Sequence, residues 1–318
     1  MKKIIYIALL LAAIPMRAER IEMLKFGDMN SWVTRVIKES WAIGHEKRTL
    51  YAVGPTQTIE GNIPYVYGQN GNPWTVSNAY AKVAGIEKAS GTARPELRKK
   101  DDYCARLDSK LDGITVLKII DIKVMVAGTI FTGRTLEPVT QAGANDPYSC
   151  IDLGVKYTGH PTAMMLDYKA NVANSNVITY AKATAFPKKK TGRDCAEMFV
   201  LLQKRWEDAD GNIHAKRVAT GYERVMDTVP DWVNNHRIPI RWGDISKQPG
   251  YKEYEGLNGH KFKAMNSKGK MRTIVEEGWS DEEPTHMILF LTSSRYEAFV
   301  GHEGNTLWVD NVRLVYDK

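Results

Sequence analysis

The sequence predicts an all-β fold, a jelly-roll β-sandwich with long loops and few short helices. Three observations predict it: many short apolar runs with a two-residue period, turn residues between them, and very little helical periodicity. The last strand is the clearest. Leu307 and Val309 share one face by the strand period, whereas Val312, Leu314 and Tyr316 occupy the opposite phase. One extra residue at Asp310-Asn311 restores a single buried face, so the pattern predicts a β-bulge there.

The remaining elements follow in chain order. Lys2 and Lys3 precede an apolar run, residues 4–14, that is too short to span a bilayer, and Pro15 and the small Ala18 end it. Residues 1–18 are therefore expected to be a secretory signal peptide, and residues 19–318 a single domain. The chain is expected to be exported, to the periplasm or the cell surface, with no membrane span. No Cys near residue 18 supports an amino-terminal lipid anchor. Residues 21–26 are strand-like, and residues 31–42 could form a short helix. From 44 to 98 the chain is rich in Gly, Asn, Thr and Tyr, a composition that suits long loops draped over a sheet.

Further strands are expected at 114–120, 123–127, 164–168 and 177–181. Asp210-Gly-Asn212 separates the apolar runs 199–206 and 213–220, which predicts a hairpin. Residues 230–235 suggest one helical turn. The run 285–291 is apolar in both phases and should be a central strand covered on both faces.

Composition narrows the function. The formal net charge is +7, and residues 1–18 hold Lys2, Lys3 and Arg17 and no acid, so the remainder carries 7 − 3 = +4. That mild excess, with the longest basic run (188–190) next to Pro187 and without aromatics, argues against nucleic-acid binding. Cys104, Cys150 and Cys195 allow one disulfide at most, do not have zinc-site spacing, and read best as buried free thiols. No metalloprotease, nucleophile-elbow, phosphate-loop or dinucleotide signature occurs. The densest acidic stretch, 276–283, offers Glu276 and Asp281 as a carboxylate pair for glycoside hydrolysis, with Trp279 between them; an exposed acidic loop competes with that reading.

Four motifs occur in order: Val126-Ala-Gly-Thr-Ile-Phe-Thr-Gly-Arg134; Gly154-Val-Lys-Tyr-Thr-Gly-His-Pro-Thr-Ala163 with Asp167-Tyr-Lys169; Arg193-Asp-Cys-Ala-Glu-Met-Phe199; and the stretch 284–294 followed by 299–301 and 304–310. This series, over residues 74–318, resembles the putative carbohydrate metabolism domain, a family of exported gut-bacterial proteins. The resemblance implies a jelly roll acting in glycan uptake or breakdown, with no established reaction. The family often has Arg where this chain has His160, which removes a guanidinium fork at that point.

Sugar recognition needs an aromatic platform beside planar polar groups. Trp74 and Asn78 offer both in one segment, and Arg134 follows a turn at a strand end; Tyr67, Arg106 and Trp279 are further candidates. Burial in the core competes for Trp74, and a structural ion pair competes for Arg134. In similar jelly rolls an acid on the closing strand helps to hold a structural calcium, which would use Asp310 with Asp28; capping of the bulge by Asp310 is the alternative. No other cofactor is required. The expected function is non-catalytic carbohydrate binding, with glycoside hydrolysis and an adhesin-like protein-interaction role as alternatives.

Overall fold

The computed structural model describes residues 19–116 and 120–317. The expected signal peptide therefore lies outside the described residues. Strands dominate, and two sheets face each other. The smaller runs in the order Val229–Pro239, Ala163–Asn171, Thr306–Tyr316, Asp102–Asp108 and Ala93–Lys99, with Arg20–Met23 also pairing onto Thr306–Tyr316. The larger runs Ile151–Leu153, Thr129–Glu137, His286–Thr292, Ala196–Glu207, Ile213–Val225, Met271–Trp279 and Lys263–Met265. Leu166, Leu307, Val309, Val312 and Leu314 from the first sheet meet Ile130, Met198, Val200, Leu202, Leu289 and Leu291 from the second in one core.

Alternation explains this packing. On the closing strand Thr306–Tyr316, Met165 faces Arg313 but Asp167 faces Asp310, so the closing strand spends three steps where its neighbour spends two. That is the predicted bulge. Asn311 occupies it with φ 53°, and Leu307, Val309, Val312 and Leu314 all reach the core in consequence. The strand His286–Thr292 is central, as its apolar character in both phases demands. Met287, Leu289 and Leu291 face the inter-sheet core, while Ile288 enters a second cluster with Phe131, Phe199 and Leu201 on the sheet's other face. The hairpin is present as well. Asp208 closes its turn by accepting from the amides of Asp210 (3.0 Å) and Asn212 (2.8 Å).

Three expectations need correction. Residues 31–42 form the strand Trp32–Lys38 and a short 3-10 turn, Trp41–Ile43, not an α-helix. Val33, Arg35 and Ile37 alternate inward; Arg35 occupies a buried position opposite Glu137, and a charged residue there hides the strand period. Residues 230–235 lie inside the strand Val229–Pro239, where Pro230 is tolerated because that strand is a sheet edge. Residues 44–98 hold seven strands, from Lys47–Val53 to Ala93–Lys99, where long loops were expected. All three cysteines are free, Cys104 and Cys195 buried and Cys150 half-buried. Residues 188–190 lie in the fully exposed strand Ala185–Thr191. No helix among the described residues is long and apolar enough to cross a membrane.

Candidate functional site: a cleft at Arg134

A cleft of about 520 Å³ opens at one end of the larger sheet. Arg134 and Asp152 sit directly opposite each other on paired strands, so the ion pair is a cross-strand contact. Arg134 donates to Asp152 Oδ2 from Nη2 at 2.5 Å and from Nε at 3.0 Å. The other oxygen, Oδ1, accepts from the Met265 amide at 2.8 Å, which holds the strand Lys263–Met265 over the cleft. Two glycines make the rim possible. A Cβ on Gly68 (φ +72°) would lie 1.8 Å from the Gly133 oxygen, and one on Gly154 (φ +88°) would lie 2.7 Å from Arg205 Nη2.

Arg205 comes from the hairpin strand Ala196–Glu207. It donates to the Leu153 oxygen through Nη1 and to Gln203 Oε1 through Nε, both at 2.7 Å, while its buried Nη2 has no partner. Burial pulls this guanidinium down to about 10, against the opposing pull of Asp152 and Glu276. His286, beside Lys156 in the register, is pushed down to about 4 by burial, then by Arg205 and Lys156, so its imidazole is neutral at pH 7. Trp206, 38% exposed, follows Arg205 on the same strand, so its ring points to the other face of the sheet, where it stacks on His214 at 5.5 Å. Glu207 accepts from the Ser267 hydroxyl (2.7 Å) and amide (2.8 Å), which hold its carboxyl below the usual range.

Of the residues singled out in the sequence, Arg134 alone lines this cleft. Trp74 is 0% exposed and its indole donates to the Lys25 oxygen at 2.7 Å. Asn78, 1% exposed, uses its amide to tie Tyr51, Thr92 and Ala93 together. Tyr67 is buried too. The expectation of a sugar platform at these three positions is corrected, because all three side chains are buried inside the fold. Arg106 lies on the smaller sheet, over the Trp308 ring at 5.1 Å and paired with Glu96 and Asp108 at 2.9 Å. Trp279 is half-buried beneath Arg217, at 5.8 Å.

The expected carboxylate pair is not poised for catalysis. Glu276 is buried and accepts from Arg217 Nε and Nη2 at 2.5 Å, Gln203 Nε2 at 2.6 Å and the Asn258 amide at 3.0 Å. Asp281 is exposed, close to Gly243. On the closing strand, Asp310 accepts from Arg98 at 2.6 Å and from the Asn311 amide at 2.7 Å, which is the capping role. The turn that carries Asp28 reaches the bulge through the backbone, Val312 donating to the Gly27 oxygen at 2.8 Å; among the described residues no hydrogen bond joins Asp28 to Asp310. No cluster of three or more His, Cys, Asp or Glu side chains suited to a metal occurs among the described residues. His160 stacks on Trp242 at 4.6 Å and pairs with Glu283 at 2.5 Å, which gives that position a structural contact in place of a guanidinium fork.

Sequence reasoning missed Asp152, Lys156, Arg205, Glu207 and His286.

Among curated proteins, none matches this chain. Five chains of solved structures do. One, described as a putative glycoside hydrolase from Bacteroides thetaiotaomicron, is 13% identical over 86% of this chain and 76% of its own, with a TM-score of 0.44. The family described as Putative carbohydrate metabolism domain matches residues 56–315. The chain therefore belongs to the putative carbohydrate metabolism domain family, whose name carries the carbohydrate-related role that the β-rich fold accommodates.

Proposed function

We propose that this protein binds carbohydrate in the Arg134 cleft without cleaving it, and that it is exported on a signal peptide, residues 1–18, to work in glycan capture. One observation carries the reading: the cleft presents the fixed guanidiniums of Arg134 and Arg205 while both of its carboxylates are occupied. Its volume falls in the range of about 300–1,000 Å³ typical of small-molecule sites. A retaining or inverting glycosidase needs one carboxyl that holds a proton and a second facing it across the bond. Asp152 instead accepts three hydrogen bonds, and the Ser267 donors keep Glu207 ionised. Glu276 is locked onto Arg217.

A glycan-array screen followed by calorimetry tests this. Arg134→Ala should weaken the selected glycan at least about fivefold, the effect of losing an interface anchor worth roughly 1 kcal/mol. Wild type that retains no glycan, or a variant that retains it as well as wild type does, would refute the site. New reducing ends released by wild type would refute the non-catalytic part.

A further inference from the structure

The charges in the cleft do not balance. Its walls hold three cations, Arg134, Lys156 and Arg205, against two acids, Asp152 and Glu207. Arg134 is answered by Asp152. Glu207 is directed to Ser267 and away from any cation in the cleft. Arg205 has no carboxylate partner. Its guanidinium is fixed by the Leu153 oxygen and by Gln203, whose own amide is fixed by Glu276, and Nη2 is left without an acceptor. Lys156, exposed on the same wall, pairs with no acid among the described residues. A guanidinium withdrawn from water without a counter-charge is costly, and an anion in the cleft supplies the missing charge. Surface charge alone would not demand this, but a fixed, partly dehydrated fork next to a free ammonium in a concave site is arranged for it.

We propose that the cleft takes an acidic saccharide: the anion on the sugar docks at Lys156 and the Arg205 wall, and the ring lies towards Arg134. This rests on the reading of the cleft as a carbohydrate site and adds the ligand class. A uronate carboxylate and a sulfate ester share the required chemistry, a negative group with several acceptor oxygens on a polyhydroxylated ring.

The test uses the full chain on an array carrying neutral, uronic-acid and sulfated saccharides, followed by calorimetry on the best binder at low and high salt. The selected glycans should be acidic, and affinity should fall with added salt. Lys156→Gln, at an exposed position, should weaken binding by about two- to fivefold, the range for a solvated ion pair. Arg205→Gln, checked by its melting curve, should weaken it by about tenfold or more, as expected for a charged hydrogen bond in a dehydrated site. Selection of uronates alone assigns the anion as carboxylate, and selection of sulfated sugars alone assigns it as sulfate. Neutral glycans weakened by Arg134→Ala, with Lys156→Gln indistinguishable from wild type, would overturn the acidic class and leave the carbohydrate site standing. Retention of no glycan of any class would overturn both.

Discussion

Glu276 is the residue for which a structural and a catalytic role give opposite stability results. It lies on the strand Met271–Trp279, whose parallel pairing with Ile213–Val225 brings it beside Arg217. Four donors converge on its carboxylate at 2.5–3.0 Å, and Asn258 brackets the backbone of the same residue. Side-chain exposure is 3% for Arg217 and 5% for Glu276. Glu276→Ala thus strands a buried guanidinium, at a cost of about 3–5 kcal/mol. For a chain of this length that lowers the melting midpoint by about 5–8 °C. Urea unfolding followed by tryptophan fluorescence, with calorimetry alongside, measures both quantities. The pH dependence has a definite sign. Burial pushes the Glu276 carboxyl up, but Arg217 and the hydrogen bonds outweigh it and hold the group below 4.5. Its contribution is therefore present above that value and lost as pH falls through the lower folded value, so the gap between wild type and Glu276→Ala should close in acid. An active-site acid behaves in the opposite way, since removing a strained catalytic group commonly leaves stability unchanged or raises it. Glu276→Ala within about 1 kcal/mol of wild type would refute the structural assignment.

Two further outcomes test the fold. Burial pushes the Glu137 carboxyl up to about 7, although the Tyr80 amide and Arg35 oppose the shift. The folded value lies above the ordinary 4.5, so this stabilising contribution is full below 4.5 and lost as pH rises through 7. The stability difference between wild type and Glu137→Gln should therefore shrink by up to about 3 kcal/mol across that window, measured by urea titrations at each pH; a constant difference would contradict the buried assignment. At the bulge, both Asn311→Val and Asn311→Gly lose the side-chain bonds to Asp167 and Asp310, but Asn311→Val should cost about 1–2 kcal/mol more because a β-branched residue resists positive φ. Equal melts for the two variants would show that the bulge does not fix that backbone.

The fold was legible wherever side-chain phase alone determined it. The phase change between Val309 and Val312 announced the bulge, the two-phase run at 285–291 announced a strand covered on both faces, and Asp210-Gly-Asn212 announced the hairpin. It was illegible wherever a buried position carries a charge or an edge strand carries a proline. Arg35 interrupts the apolar period of Trp32–Lys38 because its partner, Glu137, lies 102 residues away in sequence and nothing local signals the pairing. Pro230 reads as a breaker until the sheet order shows that its strand has no neighbour on one side.

The cleft was hard to find for a related reason. Residue type says what a side chain could do, whereas the fold decides whether that capacity is already spent. Trp74 and Asn78 have the chemistry of a sugar platform, yet the Lys25 oxygen and the backbone of 51, 92 and 93 consume it. Glu276 has the chemistry of a catalytic acid, and Arg217 consumes that. Arg205 is the reverse case. Nothing in the sequence around it stands out, but its Nη2 is left unpaired beside an unpaired Lys156, in a cleft assembled from segments near 68, 134, 152–156, 205–207, 264–265 and 286. Unspent capacity in a concave place is what distinguishes a binding residue from a structural one of the same type, and it becomes visible only when distant segments are brought together.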